Sequence, residues 1–231
     1  MCTMLPRQYE SLPPNIQNDV VRPYFDSLNR QRGALWRKAA LDRVVAALLL
    51  IILSPFLLIA AALVAFTSKG PVFYRQIRVG FLGKPFAIVK FRTMVPGADR
   101  AGAITVGRRD PRITRTGHML RATKLDELPQ MVNVLLGQMS LVGPRPEVSH
   151  YVEFYEPEMM ATLLVRPGVT GTASLAFRDE NRMLSGREDP EAYYKTVILP
   201  CKMAINLEYM RRITLWNDIK ILARTAFCAV K

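Results

Sequence analysis

The chain is poor in the residues that build metal and redox centres. It has two histidines, His118 and His150, and three cysteines, Cys2, Cys201 and Cys228, in 231 residues. An odd, scattered cysteine set excludes a disulfide framework and a cysteine zinc site, and fits a reducing compartment. Two histidines leave little material for a histidine-rich metal site or relay. Acidic residues are also scarce: 19 Asp and Glu face 32 Lys and Arg, a net charge of +13. That excess calls for an anionic partner, whether nucleic acid, a phosphate-bearing substrate or an acidic membrane surface. There is no internal repeat or low-complexity tract, and with half the residues apolar the chain is not disordered.

Long apolar runs are absent too, with a single exception. Residues 44–66 read VVAALLLIILSPFLLIAAALVAF, without a charge or a side-chain amide. About 20 such residues cross a bilayer core. The run starts too far into the chain for a signal peptide and has no small-residue cleavage site. Ser54-Pro55 sits at its centre; proline removes one helix hydrogen bond, so a kink is expected, with Ser54 bonding a freed carbonyl. Both flanks are basic. Residues 30–43 carry five cations and one acid, and residues 69–92 carry six cations and no acid. The positive-inside rule places both ends in the cytoplasm, which a re-entrant helix bent at Ser54-Pro55 satisfies. A kinked single-pass helix is the alternative reading.

Organisation follows from this anchor. Residues 1–30, with four prolines, read as an irregular arm or short interfacial pieces. Residues 31–68 read as a basic interfacial helix running into the membrane helix, and 69–231 as a cytoplasmic domain lying on the membrane. Residues 73–76 and 86–91 are β-prone around Gly80, Gly83 and Pro85, which predicts a hairpin. Residues 118–136 are helix-prone with an interruption at Pro129, residues 147–163 with a break near Pro157, and residues 202–227 throughout. In that last stretch Trp216 fits an interfacial face and a core position equally. The expected fold class is α/β, mostly α with a few short strands.

Chemistry concentrates in Arg121-Ala-Thr-Lys124-Leu-Asp126-Glu127-Leu-Pro129-Gln130. Two adjacent carboxylates between cations suit an oxygen nucleophile and a neighbour that holds a cation. An isolated Asp-Glu pair is more often a first helical turn, where acids meet the positive end of the dipole. The surroundings alter that balance. Lys90, Arg92, Arg112, Arg121, Arg145 and Arg166 are basic residues beside short strands or in stiff Pro- and Gly-rich loops. The arginine fork suits bidentate phosphate binding, and the set fits a diphosphate substrate.

The motifs Ser54-Pro55, GPVFYRQIRVG (70–80), PFAIVKFRTM (85–94), DPRITRTG (110–117), LRATKLDELPQMVNVLLGQMSLVGPRPE (120–147) and RPGVTG (166–171) occur in one order. In these the chain resembles the monotopic polyprenyl-phosphate phosphoglycosyl transferases, or bacterial sugar transferases, from about Leu41 to Phe227. The resemblance implies a monotopic protein of the bacterial inner membrane, with its catalytic domain on the cytoplasmic face and its apolar helix re-entrant and broken at Ser54-Pro55. It implies transfer of a hexose-1-phosphate from a UDP-sugar to polyprenyl phosphate, with release of UMP. Asp126 would be the nucleophile and form an aspartyl-phosphosugar. Glu127 would help bind Mg2+ and assist the acceptor step, with Asp126 and Glu127 as the metal-side pair. Lys90 and Arg121 match phosphate-handling positions, and Arg145 lies in the GPRP motif. After Gly171 the chain reads TASLAFRDENRML where a common family pattern is close to GLAQVNGR, which bears on sugar specificity.

Two other classes compete with this reading. A non-catalytic membrane-surface protein that binds polyprenyl phosphate or a partner has no need of the Asp126-Glu127 pair. Nucleic-acid binding rests on charge alone, without an aromatic RNA-binding motif or recognition-helix signature, so no nucleic-acid partner is expected. A homo-oligomer is compatible with the sequence, which does not set the oligomeric state.

Overall fold

The computed structural model describes residues 5–98 and 110–230; Cys2 lies outside them. The described chain is mostly helical, with four short strands.

The arm is ordered against the core. After two short 3-10 turns, α1 (Arg22–Arg30) buries Tyr24, Phe25 and Leu28, and Leu5, Leu12, Ile16 and Val21 join the same core. The sequence suggested an irregular arm; its prolines punctuate turns, while its spaced apolar residues supply the buried contacts.

α2 (Arg32–Thr67) is one helix of 36 residues, in which the basic stretch and the apolar run are continuous. Pro55 lies inside it and does not end it. The carbonyl that Pro55 cannot reach is that of Ile51, and the Ser54 hydroxyl donates to it at 2.8 Å. The break expected at Ser54-Pro55 is thus replaced by a local repair. One stripe of α2 is packed: Ala46, Leu49 and Leu50 join the main core, while Leu57, Ala60, Ala61 and Val64 pack with Phe91 and Leu120. The rest, including Leu48, Ile51, Ile52, Phe56, Leu58, Ile59 and Phe66, is exposed. Among the described residues α2 is the one helix long and apolar enough to cross a membrane.

Both ends of α2 hold the same domain. Near its start, Asp42 accepts from the Ser140 hydroxyl at 2.5 Å, and Lys38 bridges Asp42 at 3.3 Å and Asp218 at 2.7 Å. At its end, Arg92 donates to the carbonyls of Val64 (3.3 Å) and Ser68 (2.6 Å).

The predicted hairpin is β1 (Phe73–Val79) paired antiparallel with β2 (Pro85–Phe91). Its turn puts Leu82 and Gly83 at positive φ. Next come α3 (Arg115–Ala122), a 3-10 segment (Leu125–Gln130) and α4 (Met131–Leu135). The sequence placed the interruption of this region at Pro129. It falls earlier, at Lys124, whose left-handed backbone (φ 56°) turns the chain out of α3; Pro129 is accommodated in the 3-10 segment. β3 (Ser140–Val142) pairs parallel with β4 (Gly168–Thr170). Between them lie α5 (Ser149–Val152) and a 3-10 segment (Pro157–Leu164). α6 (Thr172–Ala176), α7 (Glu180–Leu184) and α8 (Pro190–Tyr193) lead through a π-helical turn (Tyr194–Ile198) to α9 (Leu199–Arg211) and α10 (Leu215–Val230). The single helix expected over 202–227 is therefore two. Trp216 is 66% exposed, which removes it from the core.

Candidate active site

The frame of the site is set by an uncharged side chain. Asn133 of α4 donates to the Ala87 carbonyl (2.8 Å) and accepts from the Val89 amide (3.1 Å). That ties the LDELPQ segment to β2 and sets Lys90, the next residue of the strand, beside it. Gly117 lets α3 approach the strand end: a Cβ there would lie 2.0 Å from the Thr93 carbonyl oxygen. Across this contact Arg121 Nε donates to the Thr93 hydroxyl at 2.8 Å.

The two adjacent carboxylates then receive opposite surroundings. Glu127 Oε1 accepts from Lys90 Nζ at 3.0 Å, and Arg145 meets both of its oxygens at 2.5 and 3.2 Å. The geometry is a bidentate fork. Burial pushes Glu127 up, but Arg145 and Lys90 outweigh it and hold the carboxyl well below the usual range. Glu127 in turn raises Arg145. Burial lowers Lys90, with Glu127 opposing.

Asp126 is buried (7% exposed). Its Oδ1 makes no hydrogen bond among the described residues. Burial and the Glu127 charge raise its pKa, against Lys90, Arg121 and Lys124. The result is a poorly solvated carboxylate with one buried, unpartnered oxygen among the described residues, near cations that do not bond that oxygen. Such a group can attack an electrophile or ligate a cation.

Lys90, Arg121, Asp126, Glu127 and Arg145 therefore form one site. Of the other three predicted arginines, Arg92 and Arg166 are engaged elsewhere, while Arg112 lies close enough to Arg121 for their charges to interact. Arg92 (5% exposed) clamps the end of α2 through Val64, Ser68 and the Pro71 carbonyl. Arg112 pairs with Asp110 at 2.6 Å, an interaction that lowers the Asp110 pKa. Arg166 Nε donates to the Gly137 carbonyl at 2.9 Å and its guanidinium stacks on Phe81.

The model of the family described as bacterial sugar transferase matches residues 33–231. The chain belongs to this family. It is 41% identical over 192 residues to a UDP-glucose:undecaprenyl-phosphate glucose-1-phosphate transferase of Caulobacter vibrioides, covering 82% of this chain and 68% of that protein. It is 38% identical over 222 residues to a protein of the same name from Klebsiella pneumoniae, covering 94% of this chain and 45% of that one. The exopolysaccharide production protein ExoY of Rhizobium meliloti is 34% identical over 203 residues, with 81% of this chain and 83% of that protein covered. Against the Klebsiella relative, then, the chain spans less than half the length.

The LDELPQ and GPRPE segments, both within the matched residues, supply Asp126, Glu127 and Arg145 to the site. Sequence reasoning missed Thr93 and Asn133, whose partners are 28 and 44 residues away. It also missed a buried cluster behind Arg145: Glu147, Tyr194 and Lys202, joined by Glu180 and Arg78. The one available signal was a Glu two residues after an arginine in a proline-rigid loop, with nothing to say which distant cation meets it.

Proposed function

We propose that the chain transfers a hexose-1-phosphate from a UDP-sugar to undecaprenyl or another polyprenyl phosphate, with Asp126 as nucleophile. The observation that carries this is the division of labour between neighbours: Glu127 is neutralised by Lys90 and Arg145, while Asp126 keeps a buried oxygen without a partner among the described residues. In the first step that oxygen bonds the sugar-bearing phosphorus, and the bond to the bridging oxygen of the diphosphate breaks. UMP departs with the electron pair. In the second step an oxygen of the polyprenyl phosphate attacks the same phosphorus, and the Asp126 carboxylate leaves. Arg121, Lys124 and Lys90 oppose the phosphate charge that builds up, which is the protein's main contribution to phosphoryl transfer. The relatives' names favour UDP-glucose as the donor to try first.

Mg2+ fits this site in a restricted way. The described residues contain no cluster of three or more Asp, Glu, His or Cys side chains. A magnesium ion needs only one or two carboxylates plus phosphate oxygens and water. With Oδ1 committed to the phosphorus, Asp126 would ligate such an ion through its other oxygen, whereas both Glu127 oxygens are held by cations, so Glu127 would ligate only after Arg145 or Lys90 let go. When bound with the donor, Mg2+ supplies charge neutralisation on the diphosphate.

The membrane arrangement we infer is monotopic, with the domain on the cytoplasmic face of the inner membrane. Asp42 and Val64, near opposite ends of the apolar run, are bonded to one domain. A helix with one end in the far aqueous phase could not keep both contacts. The exposed apolar back of α2 would lie in lipid while its packed stripe stays on the domain, so both flanks of the helix would remain on the cytoplasmic side.

The direct test is UMP release from a panel of UDP-sugars by purified protein with Mg2+ and undecaprenyl phosphate. Acceptor-dependent UMP from one sugar, lost in Asp126→Asn, is the expected result. Folded, lipid-embedded protein that releases no UMP from any sugar would overturn the reading in favour of a non-catalytic membrane protein.

A further inference from the structure

Arg145 sits on a loop that ends in a buried ion cluster, and the cluster does not touch Glu127. Pro144 and Pro146 flank Arg145 and restrict its backbone to an extended path. Glu147, two residues after Arg145, is 4% exposed. Its Oε1 accepts from the Tyr194 hydroxyl at 2.8 Å and from Lys202 Nζ at 3.3 Å. Arg78 Nη1 donates to the Pro146 carbonyl at 3.1 Å and lies 3.8 Å from Glu147 Oε2. The Glu147 carbonyl accepts from the Val79 amide at 2.9 Å. Lys202 also bonds the Tyr194 hydroxyl and Glu180, both at 3.0 Å.

Buried ion clusters are costly to desolvate and are replaceable by apolar side chains with little loss of stability, so one next to a functional loop calls for another reason. Tyr194 opens the π-helical turn Tyr194–Ile198. Such turns are rare and concentrate at functional sites, because they re-aim one side chain at the expense of regular helix bonding. Here the side chain that leads the turn is the donor to Glu147.

We propose that Tyr194 and Lys202 are positioning residues, which act through Glu147 and the Pro146 link to hold the Arg145 guanidinium in register with Glu127. The cluster also reaches Glu180, in the segment after Gly171 where the sequence leaves the common family pattern. Displacement of Arg145 by a fraction of an ångström would loosen Glu127 and misalign the site without removing any group that contacts substrate. Misplacements of about 1 Å cost up to about 100-fold in rate.

The proposal rests on the covalent reading, and the test separates the two. UMP release is followed in the first turnover with the UDP-sugar that wild type uses and with no acceptor. A wild type without a UMP burst means the covalent reading has failed, whatever the variants do. With a wild-type burst, Tyr194→Phe is expected to keep the full amplitude and lose about tenfold in rate constant. Lys202→Arg should retain more of the rate than Lys202→Met. In an Arg145→Lys background, Tyr194→Phe should cost little more, since the guanidinium it positions is gone. Reduced amplitude at an unchanged rate in Tyr194→Phe would show a merely structural cluster, and unchanged amplitude and rate would equally overturn the proposal. Should Lys202→Met fail to fold, Tyr194→Phe decides alone.

Discussion

Arg145 grips Glu127 through two guanidinium nitrogens, at 2.5 and 3.2 Å, from a loop 18 residues further along the chain. This contact leaves Glu127 paired while Asp126 Oδ1 has no partner among the described residues, and on the proposed function Asp126 is the attacking group. Replacement of Asp126 by Asn keeps volume and removes the attacking oxygen. Turnover should fall by at least about 1,000-fold, the scale seen when a nucleophile is removed, with circular dichroism and membrane association unchanged. Wild-type rates in Asp126→Asn would refute the covalent route.

The acid limb of activity should lie above the ordinary carboxylate range. Asp126 must be ionised to attack, and burial with the Glu127 charge raises its pKa. As pH falls through that raised value the carboxylate protonates and kcat drops. A rate that held constant down to pH 4 would contradict this assignment.

Glu127 has the opposite sign in stability. Its folded pKa lies well below the unfolded value of about 4.3, so its contribution is complete above about pH 5. That contribution is lost as pH falls through the folded value. Glu127→Gln should remove this acid-side slope and cost about 3 kcal/mol at pH 7, because Lys90 and Arg145 are left without their counter-charge. Denaturant unfolding of the domain in detergent at several pH values measures both effects.

Arg92 separates scaffold from substrate. Its bonds go to the end of α2, so Arg92→Met should destabilise the protein by about 2 kcal/mol, the scale of charged hydrogen bonds, and leave the donor KM within about twofold. A tenfold rise in KM with unchanged thermal stability would instead make Arg92 a substrate ligand.

Topology gives a further check. Arg37 and Lys69 flank the apolar run and are exposed. In a cysteine-free background, Arg37→Cys and Lys69→Cys should react with an impermeant thiol reagent in inside-out vesicles and be protected in spheroplasts. Labelling of the two positions from opposite sides would establish a spanning helix.

Features that depend on neighbours in sequence were readable in advance. The apolar run and the β1–β2 hairpin with its Gly80 and Gly83 turn follow from local spacing, whereas the LDELPQ pair reads locally as a first helical turn and draws its site role from the resemblance. Features that depend on distant partners were not. Six basic residues looked alike in the sequence, yet only Lys90, Arg121 and Arg145 come to the Asp126-Glu127 pair: Arg92 and Arg166 are held by partners 21 to 29 residues away, and Arg112 by its neighbour Asp110. Pro55 misled for a different reason: the residue beside it carries the hydroxyl that repairs the missing bond. The arm misled because its prolines hid a spaced set of core residues.

The central claim is a covalent bond between Asp126 and the phosphosugar. Intact-protein mass spectrometry after incubation with UDP-glucose and Mg2+, without acceptor, tests it most directly. The account predicts a mass increase of one hexose phosphate, mapped to the peptide containing Asp126, absent in Asp126→Asn and discharged by undecaprenyl phosphate. Acceptor-dependent UMP release by a protein that never carries the adduct would contradict it and point to direct transfer between the two substrates.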